Sequence, residues 1–147
     1  MLSVRQTTSL LIAAILLCSI VWVFHSASSS LPNTLPAMSV THIVLFQFKA
    51  DATPEVVKDV CSRMLALKDE CIHPTSQKPY IKFSSGGADN SPEGIQNGIT
   101  HAFVVEFASA ADRDYYVKED PTHQEFVRSL GGVIEKAQVI DFTPGVF

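Results

Sequence analysis

The stretch KEDPTHQEFVRSL, residues 118–130, places His123 three residues after an aspartate and directly before an apolar helical run. If Asp120 is the N-cap and Pro121 the first helical residue, His123 is the third. The unpaired N-terminal amides and the helix dipole put positive potential there, which disfavours imidazolium. His123 is therefore expected to be neutral and available as a proton acceptor. His123, Phe126, Val127 and Leu130 also recur at i, i+3, i+4 and i+7, so the imidazole shares the stripe that faces the core. A neutral, inward imidazole beside a hydroxyl can remove a proton from a carbon next to a carbonyl. The competing use is structural, with His123 satisfying backbone or loop carbonyls beneath a helix start.

His42 and His101 open two apolar stretches, THIVLFQFK and THAFVVEFAS. As neighbouring antiparallel strands these would begin toward opposite ends of a sheet. Alternation alone does not bring the two histidines to one pocket, and either can be a core or edge residue satisfied by a loop. His25 and His73 lie in connecting segments and have no comparable case. No phosphate loop, nucleophile motif, CxxC pair or Cys/His cluster is present, so neither a metal nor a cofactor is expected.

These residues need elements to hold them. Residues 41–49 read as a strand with apolar side chains on both faces, hence a central strand covered on both sides. Residues 53–70 read as an amphipathic helix, with Thr53 as N-cap, Pro54 at the first position and a stripe of Val56, Val57, Val60, Met64 and Leu67. Strands follow at 79–87 and 100–109, separated by the turn-rich loop ADNSPEGIQNGI, where NSPEG is either a turn or a cover for a cavity mouth. A helix capped by Ser109 runs to the Asp120-Pro121 break and restarts to about Leu130. Gly131 and Gly132 end it, and a last strand occupies 137–145. Glu106 is expected on the exposed side of its strand. Cys61 and Cys71, ten residues apart along a helix, stand about 15 Å apart, too far for a disulfide unless the helix ends early.

The order β-α-β-β-α-β specifies an α+β, ferredoxin-like antiparallel sheet with its helices on one face. The other face is apolar as well and needs a cover. The simplest cover is the same face of a second copy, so a homodimer through the sheet is expected.

The first 37 residues differ in kind. Residues 9–24 carry no charge and are almost wholly apolar, and residues 26–37 are small, polar and Pro-containing. Residues 1–25 are therefore expected to be a signal peptide or a signal-anchor transmembrane segment, and 26–37 a linker. That puts the protein in the secretory pathway or at a membrane. Translation from Met38 would instead give a cytoplasmic protein. All fifteen acidic residues but only ten of the eleven basic ones lie in 38–147, a formal charge of −5. The basic residues are scattered, which argues against nucleic acid as a partner.

The segments HIVLFQFK, NSPEG, GITHAFVVEF, DPTHQEFV and VIDF, in that order across residues 40–144, resemble the stress-responsive dimeric α/β barrel (Dabb) domain family. The resemblance implies a ferredoxin-like dimer, a dimeric α/β barrel. One branch, similar to the olivetolic acid cyclase-type polyketide cyclases, closes a linear polyketide without a cofactor. In that branch a histidine matching His123 is the general base and a nearby tyrosine its partner, a place that either Tyr115 or Tyr116 takes here. Histidines matching His42 and His101 lie in or beside the same cavity. Three functions follow as expectations: a domain binding a small apolar or aromatic ligand, a cofactor-independent cyclase or lyase, or a membrane-tethered dimerisation module.

Overall fold

The structure is a computed structural model and describes residues 38–147. Its elements are β1 (Val40–Phe48), α1 (Pro54–Glu70), β2 (Ile81–Ala88), β3 (His101–Phe107), α2 (Ala110–Lys118), α3 (Pro121–Ser129) and β4 (Ile134–Phe142). The strands form one antiparallel sheet in the order β2-β3-β1-β4. The fold is α+β and ferredoxin-like, with the second helix split in two.

Local chemistry sets the boundaries. Thr53 caps α1 by accepting from the Val56 amide, and Pro54 follows. Ser109 caps α2 by accepting from the Asp112 amide. Asp120 ends the run of α2 and caps α3, its Oδ1 accepting from the amides of Thr122 at 2.9 Å and His123 at 3.0 Å. His123 is thus the third residue of its helix, as the spacing predicts.

Two expectations are corrected and one, the separate thiols, stands. The last strand begins at Ile134, not 137: Lys136 pairs with Gln47 and Ile134 with Phe48 across a bulge at Glu135, on an exposed edge strand where alternation carries no burial signal. In α1 the buried stripe is Val60, Met64 and Leu67, while Val56 is exposed, lying one residue (about 100°) round the helix from Val57. The helix ends at Glu70, so Cys71 is its buried C-cap residue; it and Cys61 are free thiols.

The core lies between one sheet face and the helices. Val44, Phe46, Phe48, Phe103, Val105 and Phe107 meet Val60, Met64 and Leu67 of α1, Tyr116 of α2 and Phe126 of α3. Among the described residues the opposite face has no cover. Ile43 stands between Val104 and Ile140 in register, and Thr41 between Glu106 and Phe142. Phe83, Ile140 and Phe142 on that face are 45%, 46% and 44% exposed.

The expected signal or anchor segment, 1–25, and linker, 26–37, lie outside the described residues. Among the described residues no helix is long and apolar enough to cross a membrane.

Candidate functional site

The helices leave part of β4 uncovered, which opens a cavity of about 500 Å³ on the helix side of the sheet. Val44 and Phe46 of β1, with Ala137 and Val139 of β4, form its floor. Met64, Phe126, Val127 and Leu130 form an apolar wall. His42, Arg113, Tyr116, His123 and Asp141 make up its polar lining, with Asp114 and Lys118 beside them. The stripe His123, Phe126, Val127 and Leu130 lines the cavity entire, as its spacing predicts.

His123 and Tyr116 stack, with ring centroids 3.9 Å apart and planes at 32°. Of the two tyrosines, Tyr116, which is 1% exposed, is the one beside His123. Tyr115 turns away from the cavity to pack with Tyr80, at 5.7 Å, and His73, at 5.5 Å. Consecutive helical residues point about 100° apart, so only one of the pair can face the cavity.

The neutral state expected for His123 has a different main cause from the one read in the sequence. Burial lowers its pKa first, and His42 nearby lowers it further. The Tyr116 carbonyl and the Asp120 carboxylate pull the other way. Asp120, 1% exposed, takes up the helix amides and opposes the dipole. The His123 Nδ1 is buried with no hydrogen-bond partner. Burial also pushes the Tyr116 hydroxyl well above the usual phenol range.

His42 is placed by β1, with Val105 and Asp141 opposite it on the flanking strands. Its Nδ1 lies 2.6 Å from the Asp141 Oδ1. An ionised carboxylate only accepts, so Nδ1 carries the proton and Nε2 is the ring's remaining nitrogen. The Arg113 guanidinium bonds the other oxygen of Asp141 through Nη1. Arg113 Nε also lies 2.8 Å from Asp114 Oδ1, and Lys118 Nζ lies 2.9 Å from Asp114 Oδ2.

His101 does not line this cavity. It pairs with Phe46, four residues along β1 from His42 and so about 13 Å away. It packs on Phe48, ring centroids 4.9 Å apart, and its Nδ1 lies 3.0 Å from the Thr100 hydroxyl. It borders a separate hollow with Leu45, Ile95 and Lys136. The NSPEG segment is a turn, with Asp89 and Ser91 side chains accepting from amides two residues on and Gly94 at φ +70°. Glu106 is exposed on the open sheet face. Among the described residues no three His, Cys, Asp or Glu side chains gather as metal ligands.

Asp141 and Arg113 were not evident in the sequence as site residues. One signal was present: in VIDF, strand alternation puts Asp141 on the same face as Val139, a charge at an inward position.

Residues 40–144 match the family described as Stress responsive A/B Barrel Domain. No match is found among curated proteins. Among solved structures, an Arabidopsis thaliana protein is 30% identical, with 74% of this chain and 97% of that one covered and a TM-score of 0.63. A hydroxynitrile lyase from Passiflora edulis is 24% identical over 77% of this chain and 99% of its own, TM-score 0.62. A dimeric ferredoxin-like protein of unknown function from Thermobifida fusca is 20% identical over 73% and 92%, TM-score 0.57. The last two likenesses are of fold.

Proposed function

The chain belongs to the stress responsive A/B barrel domain family, and on that premise we propose that it binds a small apolar or aromatic molecule in the cavity between β1, β4, α2 and α3. The cavity itself carries this reading. Its volume, apolar walls and few convergent polar groups are those of a small-molecule site. Apolar probes titrated into the full chain should shift the ring signals of His42 and His123 and leave those of His101 in place. Probes that shift none of them would count against the reading.

The working form is a homodimer joined through the open sheet face. Phe83, Ile43, Val104, Ile140 and Phe142 give that face a run of apolar side chains, and a closed pair of such faces removes them from water. The Thermobifida fusca protein of the same fold is dimeric.

A second reading is favoured by the side chains at the polar end. It is a cofactor-independent cyclase or lyase in which His123 takes a proton from carbon next to a carbonyl. Its support is that burial keeps His123 neutral and that a second imidazole, His42, is oriented by a carboxylate in the same cavity. The Passiflora edulis protein of this fold is itself a lyase. Once a turnover assay exists, His123→Ala should abolish product and leave the dimer intact; surviving activity would remove His123 as the base. Residues 1–25 act as the signal or anchor, and sequencing the mature N-terminus tests this: a residue near Ser28 means cleavage, Met1 retention, and Met38 an internal start. If no ligand enters the cavity, a membrane-tethered dimerisation module is the reading that survives.

A further inference from the structure

The charges around the cavity restrict what it can hold. Two cations line it, Arg113 and Lys118, and two carboxylates, Asp114 and Asp141. Each cation is already matched. Arg113 bridges Asp141 and Asp114, and Lys118 bonds the second oxygen of Asp114. A third positive feature, the N-terminus of α3, is closed by Asp120, whose Oδ1 accepts from the amides of Thr122 and His123. Burial keeps His123 uncharged near neutral pH, and the proton on His42 Nδ1 faces Asp141. What is left for a ligand is an apolar volume with unpartnered ring nitrogen, an aromatic hydroxyl and no uncompensated positive charge.

We propose that the site selects ligands with an uncharged polar head, such as a ketone, aldehyde, nitrile or phenol on an apolar body, and rejects matching carboxylates and phosphates, with Asp141 as the residue that sets this preference. An anionic head at the polar end would meet the Asp141 carboxylate, whose side chain is 25% exposed, and near a protein surface like charges repel more strongly than in bulk water. It would also lose its hydration without gaining a free cation. A neutral acceptor or donor incurs neither cost. The inference rests on the ligand-binding reading above and names the chemical class that reading leaves open.

The test is a matched pair of probes, 2-acetylnaphthalene and 2-naphthoate, which share an apolar body and differ in the charge of the head. Binding to the full-length protein is followed at the ring signals of His42 and His123, with His101 as the control outside the cavity. The ketone should bind at least about tenfold more tightly than the acid. Asp141→Asn frees Arg113 from one carboxylate and should narrow that ratio by roughly tenfold, chiefly by tightening the acid. Asp114→Asn, at a more exposed position, should narrow it in the same direction and serves if Asp141→Asn does not fold. Equal binding of acid and ketone by the unaltered protein overturns the proposal, as does an unchanged ratio in both variants. If neither probe shifts His42 or His123, the ligand-binding reading fails and this one with it; the two failures are therefore distinct.

Discussion

Tyr116 and His123 stack across the break between α2 and α3, ring centroids 3.9 Å apart. The contact fixes which tyrosine of the pair faces the cavity and sets the environment of the imidazole. His123→Phe keeps an aromatic ring against Tyr116 and removes a buried nitrogen that has no partner. Its effect on folding stability should stay within about 1 kcal/mol in urea unfolding, while binding of ketone probes weakens.

The same residue gives a pH dependence. Burial lowers the folded-state pKa of His123 below its ordinary 6.5. Between those two values the unfolded chain binds the proton and the folded one does not, so stability falls as pH drops. The contribution is fully present above about 6.5 and is lost as pH falls from there to the lower folded-state value. His101, also lowered by burial, acts in the same direction. His123→Phe should therefore flatten the stability profile below pH 6.5, read from urea midpoints across that range; an unchanged slope would place the imidazole in water.

Asp120 is a buried carboxylate that ties the start of α3 to Tyr80. Its Oδ1 caps α3, and its Oδ2 accepts from the Tyr80 hydroxyl at 2.7 Å. Asp120→Ala removes the cap and strands a buried hydroxyl. The expected loss is about 2–4 kcal/mol from the two effects together, measured by denaturant unfolding. Tyr80→Phe removes only one partner and should cost less.

Alternation along β4 separates two faces by one residue. Val139 lines the cavity, and Ile140 lies on the open face in register with Ile43. Ile140→Asp should weaken the dimer roughly hundredfold in sedimentation and leave probe binding in place. Val139→Asp should do the reverse. A monomeric unaltered protein at micromolar concentration would refute the dimer outright.

These distinctions mark what the sequence makes legible. The alternation in residues 41–48, the Ser109 and Asp120 caps and the Pro121 restart are local signals, and the elements follow them. Inward placement of His123 follows from the stripe it shares with Phe126 and Leu130. The choice between Tyr115 and Tyr116 does not, because α2 carries almost no apolar periodicity: Ala, Asp and Arg precede the pair and only Val117 and Lys118 follow it. The bond between His42 and Asp141 joins residues 99 apart in sequence and depends on the register of β4 against β1. The position of His101, four residues along β1 from His42, likewise needs the register of β3. Local chemistry builds the strands, and only their alignment decides which histidines meet.

The central claim is that a small apolar molecule occupies the cavity under α2 and α3. A crystal structure of the protein grown with 2-acetylnaphthalene tests it most directly. The naphthyl body should lie among Val44, Phe126, Val127 and Val139, with its carbonyl toward His42 and His123. A cavity filled by the protein's own side chains, or a probe bound only elsewhere, would contradict it.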